Sequence, residues 1–399
     1  MKNIYIISLI VLLSLTKAWA QSDSTEYMNL EAIFNRPFVL NANNGKSSAA
    51  IGGYIEGNTN YFETDGISAD GFGMELRRFN IFIYATVHDR IKFISELEFE
   101  HGTEEIALET ALVDFEIHPA FVFRMGILLP PIGYFNQNHD SPKWEFIDRP
   151  LVSTQIIPST LSEMGLGFYG KVPLKRNMIT YELYLVNGLG PGIIENESNR
   201  TLLDEGKRPE MFGGDNNGIP SITGRLAFKS NTIGEFGVSG YTGIYNNFEI
   251  DGIDVDEKRR VSLFALDYQM QISKLKIVGE TAWSFIDIPA NYGQQFGNQQ
   301  FGTHLDLIYP VWNTTMFDWK NVVLNLIHRT EFADYNQGTF ETNDENIYDQ
   351  VFSIMPGMSL RFSANTLLRL NYRMAWERDI LGNPASKTAG IQFGFATYF

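Results

Sequence analysis

The chain contains no cysteine. That removes disulfide scaffolds, thiolate chemistry, Cys-bound metal and a lipoprotein anchor, and it leaves an exported chain nothing to mispair in an oxidising compartment. Beyond an apolar run from Ile4 to Leu15, no stretch approaches the roughly 20 apolar residues that a membrane-crossing helix needs. If the chain sits in a membrane, it must do so with strands. Linkers rich in Pro, Gly or Ser are missing as well, and composition does not shift along the 399 residues. One large unit is expected rather than a string of domains. Basic charge is in deficit: 31 Lys and Arg against 47 Asp and Glu leave a net charge of -16. This argues against nucleic acid as a partner and against docking on an anionic surface. No Gly-x-Ser-x-Gly elbow or His-Glu-x-x-His pair occurs. His304 and Asp306 sit two apart on one strand face, which reads as wall chemistry rather than catalysis. No catalytic residue, metal or cofactor is expected.

What is present points outward from the cell. Lys2, the apolar run and Ala18-Trp19-Ala20 form the pattern of a cleaved signal peptide over residues 1–20, with Gln21 as the first mature residue. Residues 21–48 leave room only for a short periplasmic segment, too small for a folded plug. At the other end, Ile391, Phe393, Phe395 and Phe399 fall on one face of an alternating strand that stops on an aromatic carboxyl terminus. A strand with one face in lipid and the other in a water-filled lumen reads this way.

Similar alternation recurs in about sixteen segments, each near the length of a tilted barrel strand. They fall at 50–61, 78–87, 93–99, 108–117, 121–128, 165–172, 179–186, 221–229, 234–245, 260–269, 275–284, 301–309, 322–332, 351–362, 367–376 and 389–399. Their connections sort by length. Turns at 88–90, 118–120, 231–232, 273–274 and 364–365 are tight, whereas 63–75, 130–164, 187–220, 246–258, 285–300, 333–349 and 377–387 are long and polar, with 100–105 the short exception. Short turns on one side and long loops on the other mark an outer-membrane barrel, with the short side and both termini periplasmic. Trp283, Tyr309, Trp312, Trp319, Tyr372, Trp376 and Tyr398 lie near strand ends, where an interfacial aromatic girdle would sit. The expectation is an all-β protein: residues 49–399 form a single antiparallel transmembrane β-barrel in a Gram-negative outer membrane, in contact with its lipid and lipopolysaccharide.

The third outward connection, with the strands beside it, carries the most distinctive wording. Phe123-Arg124-Met125-Gly126-Ile127-Leu128-Leu129-Pro130-Pro131-Ile132-Gly133 is followed by Asn136, His139-Asp140-Ser141-Pro142, Asp148-Arg149-Pro150, Ile156-Ile157-Pro158-Ser159-Thr160, Glu163-Met164-Gly165-Leu166-Gly167 and Tyr184-Leu185-Val186-Asn187-Gly188. This run resembles the phosphate-selective porin O and P family in its Bacteroidetes-type form. The likeness is most specific over residues 77–188, and only strand rhythm and Phe399 extend it further. The resemblance implies a sixteen-stranded, often trimeric barrel whose third extracellular loop folds into the lumen and sets a constriction. It also implies passive diffusion of small hydrophilic solutes or anions past basic residues. Asn136, His139, Asp140 and Arg149 suit a loop that must satisfy its backbone inside the barrel.

Counting parity from the lipid-facing residues sends Arg78, Arg124, Arg225, Lys229, Arg329, Arg361, Arg369 and Arg373 into the lumen. The same count sends Glu96, Glu98, Glu100, Asp114, Glu116, Glu182, Glu280, Asp306 and Glu331 there too. Two readings stay open: a basic ladder that selects anions, or cross-strand pairs that line a hydrated wall. Acidic outer loops around Asp251, Asp254, Asp256 and Glu257, or Glu341, Asp344, Glu345 and Asp349, lack a calcium-loop spacing and read as solvated. The competing functions are a surface adhesin on a barrel with little conductance, and an outer-membrane enzyme.

Overall fold

In a computed structural model the described residues are 48–64, 71–198, 200–289, 297–340 and 343–399. Signal peptide 1–20 and nearly all of segment 21–48 lie outside them. Sixteen antiparallel strands close into one barrel, each paired to its sequence neighbours. They are β1 (Ser48–Thr64), β2 (Gly73–His88), β3 (Ile91–Glu100), β4 (Glu105–His118), β5 (Phe121–Leu128), β6 (Glu163–Leu174), β7 (Asn177–Val186) and β8 (Ser221–Ser230). The second half comprises β9 (Gly234–Ile244), β10 (Arg260–Ile272), β11 (Leu275–Ile286), β12 (Gln299–Met316), β13 (Trp319–Asp334), β14 (Gln350–Arg361), β15 (Thr366–Arg378) and β16 (Ser386–Tyr398). Closure comes from β1 against β16, with Tyr54 opposite Tyr398. A closed cylinder leaves no sheet edge unpaired, which is the condition for strands to cross lipid.

Alternation fixes which face is which. Ile391, Phe393, Phe395 and Phe399 are 48%, 46%, 40% and 47% exposed on the outside, while Gln392, Ala396 and Tyr398 between them are buried inside. Tyr309, Trp312, Trp319 and Tyr372 are exposed on the outer face. Tyr398 departs from the expected girdle. It points inward, packs edge-on against Tyr54 and donates from its hydroxyl to Asp140 at 2.8 Å, because even-numbered positions of β16 face the interior.

Alternation in the sequence ends the twelfth strand at Tyr309 and begins the next at Val322. The structure instead extends that hairpin to a tight turn at Phe317-Asp318, both with positive φ. Such a pair forms the primed turn that matches strand twist, but it normally advertises itself with Asn-Gly or Asp-Gly. Phe-Asp gives no such signal.

Two β-bulges matter for the interior. Between Glu56 and Gly57 of β1 the partner residues jump from Arg78 to Leu76, leaving Arg77 as the extra residue. Between Glu96 and Leu97 of β3 they jump from Thr110 to Leu108, leaving Glu109 extra. A bulge resets the in-out count by one and re-aims the side chain at the insertion. Arg77 and Glu109, which strict parity assigns to lipid, both reach into the lumen.

The loop-filled interior of the barrel

The third outward connection, L3 (129–162), leaves the top of β5 and turns into the barrel. Gly133 lies in the left-handed region, and a Cβ there would collide with the Glu280 carboxylate of β11. Glycine therefore lets the backbone close on that carboxylate. Glu280 Oε2 accepts the amides of Tyr134 and Phe135 at 2.7 and 3.1 Å, and its Oε1 accepts the Ser153 hydroxyl at 2.7 Å. Glu331 accepts the Leu151 amide at 2.9 Å. Two acids expected to border water thus cap loop backbone, as a buried segment without its own ladder requires.

Asn136 holds the two limbs of L3 together. Its Nδ2 donates to the Pro130 and Leu161 carbonyls at 2.8 and 3.1 Å, and its Oδ1 accepts the Leu161 amide at 2.8 Å. Gln137 donates to Glu182 of β7 at 2.9 Å. His139 faces Glu109 of β4 at 3.1 Å. Asp140 receives Tyr398 and lies 3.2 Å from Lys143. Arg149 donates to Thr160 at 3.2 Å and lies 3.8 Å from Glu98. Phe146 packs into a small apolar core with Val278, Ile308, Ile327 and Met355. Arg329 stacks over its ring at 4.3 Å.

The basic residues assigned by parity do face inward, and each has a carboxylate partner. Arg78 meets Glu56, Glu98 and Glu100. Arg124 forms a fork on Asp114 at 2.7 and 2.8 Å and lies over Tyr169. Arg225 bridges Asp267 and Glu235, and Lys229 lies 3.8 Å from Glu235. Arg329 forks Asp306 at 2.6 and 2.7 Å. Arg361 pairs with Glu145, Arg369 with Glu56 and Arg373 with Asp148. Glu116 pairs with Lys92. Glu96 and Glu98 gather around Asn80. The paired reading of the charges is the one the geometry supports, and a free guanidinium ladder is not what these side chains form. Arg124 and Arg369, expected to meet water, are 4% and 1% exposed: Arg124 is held between Asp114 and the Tyr169 ring, and Arg369 lies under the Phe146 carbonyl and Ser141 hydroxyl of L3.

A second inward element escaped the sequence reading. L4 (187–220) tucks Ile193, Leu203 and Thr201 into buried positions, and Gln300 of β12 donates to the Thr201 carbonyl at 2.9 Å. Apolar pairs such as Ile193-Ile194 and Leu202-Leu203 in a long polar loop were the available sign. Between L4, L3 and the wall lies a cavity of about 460 Å³ that includes Arg200, Arg373, Glu377, Gln155, Tyr335 and Phe62 in its lining. These residues come from the long-loop ends of the strands, so the cavity is on that side of L3. Arg200 is ion-paired to Asp349 and faces the Tyr335 ring. Deeper between loop and wall, a space lined in part by Trp144, Lys276 and Asp306 holds about 30 Å³.

No family model matches the chain. An uncharacterised protein of Aquifex aeolicus (strain VF5) is 33% identical over 192 residues, which is 46% of this chain and 42% of that protein. The chain thus matches less than half the length of that relative. Among solved structures, outer-membrane-expressed OmpT of Vibrio cholerae superposes with a TM-score of 0.55 at 10% identity, over 91% of this chain and 100% of that one. The anion-selective porin from Comamonas acidovorans gives 0.55 at 12%, over 88% and 100%. Salmonella typhi OmpF in complex with daunomycin gives 0.55 at 10%, over 88% and 98%. At such identities the likeness establishes a fold of the outer-membrane porin type.

Proposed function

We propose that this chain is exported by its amino-terminal signal, residues 1–20, inserts in the outer membrane against lipid and lipopolysaccharide, and conducts small hydrophilic solutes passively past L3. The observation that carries the reading is the contrast between the apolar outside of a closed barrel and a charged interior, entered from the long-loop side through a cavity of about 460 Å³. Wall residues facing a lumen set which solutes pass. Because Arg78, Arg124, Arg225, Arg329, Arg361 and Arg369 are held by neighbouring carboxylates, any anion preference rests on guanidiniums that, though paired with Asp349 and Asp148, stay 41% and 23% exposed at the outer cavity. There Arg200 and Arg373 stand with Glu377. Phosphate selectivity and a homotrimeric assembly are the finer expectations that the sequence resemblance adds.

Planar-bilayer recording tests the reading directly. Discrete conductance steps, small because L3 crosses the lumen, are expected, and reversal potentials in chloride and phosphate gradients give the selectivity. An ohmic silence of properly folded barrels would overturn it. The extent to which L3 is tied to strands around the wall supports a second reading, a surface-binding barrel with negligible conductance. Silence together with tight binding to a host or cell surface would select that one. Neither reading assigns catalytic turnover, and hydrolysis of ester or peptide substrates by purified barrel would contradict both.

A further inference from the structure

We infer that the pocket where the tip of L3 meets β3 and β4 is a divalent-metal site, with His139, Asp140, Glu96 and Glu109 as its donors and a first-row cation such as Mn(II) or Zn(II) as its ligand. A ring nitrogen of His139 and carboxylate oxygens of Glu96 and Asp140 lie within 4.8 Å of one another, all buried. Bonds of roughly 2.0–2.2 Å to a shared ion would draw such a set together with only small side-chain rotations.

The histidine is oriented for this role. Its Nδ1 lies 2.9 Å from the Asn136 carbonyl oxygen, an acceptor only, so Nδ1 carries the proton. That hydrogen bond is the usual outer support of a metal-bound imidazole. Nε2 then faces Glu109 Oε2 at 3.1 Å. A lone pair and a carboxylate cannot hydrogen-bond each other, so a proton or a cation must lie between them.

Glu109 supplies the independent observation. It is 3% exposed, its Oε1 meets no N–H donor, and the carboxyl with which it shares a side-chain hydrogen bond is Glu98, so a proton or a cation has to stand between the two acids. It enters the lumen only because the bulge in β4 makes it the extra residue. Beside it, the Asn80 amide nitrogen lies 3.0, 3.3 and 3.5 Å from Glu96, Glu98 and Glu109. An amide has two hydrogens for these three carboxylates, and the Asn80 Oδ1, also buried, is left without a partner. Arg78 and Arg149 offset Glu98, and Lys143 offsets Asp140; a bound cation would add the further positive charge that carboxylates buried at this density call for.

The donor set decides the ion class. One imidazole among oxygens, with no sulfur, disfavours Cu(I) and favours first-row divalent ions over Mg²⁺ and Ca²⁺. Bound there, the ion would join the loop tip to two wall strands. The inference does not rest on solute passage, since it is read from metal content rather than conductance.

The test is to refold the full chain from denaturant after EDTA treatment, in parallel with Mn²⁺, Zn²⁺, Ca²⁺ or Mg²⁺, desalt it, and measure bound metal by mass spectrometry. About one Mn²⁺ or Zn²⁺ per chain is expected to remain, with a ¹⁴N coupling in the Mn²⁺ electron spin resonance spectrum. His139→Gln with Glu109→Gln should cut retention at least tenfold. Folded wild-type barrel that keeps less than about a tenth of an equivalent, with both His139 nitrogens protonated by NMR, would show an imidazolium paired with Glu109 and overturn the site. Retention unchanged in the double variant would do the same. Should that variant not fold, wild-type metal content and nitrogen coupling decide alone.

Discussion

L3 has two arms that meet opposite chemistries. Residues 136–140 face carboxylates: Glu182 at Gln137, Glu109 at His139, with Glu96 close to His139 and Asp140. Residues 141–148 face guanidiniums: Arg361 on Glu145 and Pro142, Arg369 on Phe146 and Ser141, and Arg77, Arg329 and Arg373 on Asp148. On the basic arm every guanidinium finds a loop acid, a loop carbonyl or a wall carboxylate, although Nε of Arg369 and of Arg373 stays without a partner. On the acidic arm, Glu109 Oε1 and Asn80 Oδ1 are left over. Arginine carries its own hydrogens to backbone carbonyls and can knit an irregular loop to a wall unaided. Carboxylates are acceptors only, so an acidic arm needs donors from elsewhere.

The largest effect is expected from breaking the basic arm at its deepest pair. Arg329 and Asp306 are 0% and 1% exposed. Asp306→Ala would leave a guanidinium buried beneath L3 with only the Asp148 carbonyl at 2.7 Å. Removing one partner of such a pair costs about 3–5 kcal/mol, mostly the penalty of stranding the other charge. Urea unfolding, followed by heat-modifiable gel migration, should show the loss. A variant within 1 kcal/mol of wild type would mean that water already reaches Arg329.

The barrel was legible because its cause is a period of two. Every one of the sixteen strands overlaps a segment of alternating residues, and Phe121–Leu128 agrees at both ends. The inward course of L3 was legible through its resemblance and its length. Parity was sufficient for Arg329 and Asp306, which lie on unbroken stretches of β13 and β12. It was insufficient for Arg77 and Glu109, where one inserted residue reverses inside and outside and no local residue type announces the insertion. The pairing of the arginines was undecidable for another reason. Which carboxylate meets which guanidinium depends on the route of L3 across the lumen, and Glu145 and Asp148 are brought to Arg361 and Arg373 from 200 or more positions away.

A change of pH should separate the arms by a smaller amount. Burial alone would raise the Asp148 carboxyl, but Arg373 and Arg77 outweigh it and hold the group below its ordinary value. A depressed carboxylate contributes its stability above the unfolded value and loses it as pH falls through the folded one. The Asp148 clamp should therefore be intact at pH 5–7 and loosen only below about pH 4. Channel noise or conductance recorded stepwise from pH 7 to 3 should change late in that series, and Asp148→Asn should abolish the late step. A change centred near pH 6 that Asp148→Asn leaves in place would assign the transition to another group.

The smallest effect comes from the same fork placed in water. Arg259 binds Asp256 with Nε and Nη2 at 2.8 and 2.7 Å, nearly the geometry of Arg329 on Asp306. Yet it lies in the outer loop before β10, where the Asp256 side chain is 36% exposed. Water competes for both groups there, and salt screens what remains. Arg259→Ala should cost about 0.5 kcal/mol or less, since its partner is resolvated at once. The contrast with Asp306→Ala bears on the environment, because each variant breaks an Arg–Asp fork of nearly the same bond lengths, one leaving its remaining partner in water and the other leaving it buried. If the two variants lost similar stability, pairing geometry rather than burial beneath L3 would govern the interior, and the comparison of the two arms would have to be rebuilt on hydrogen-bond count alone.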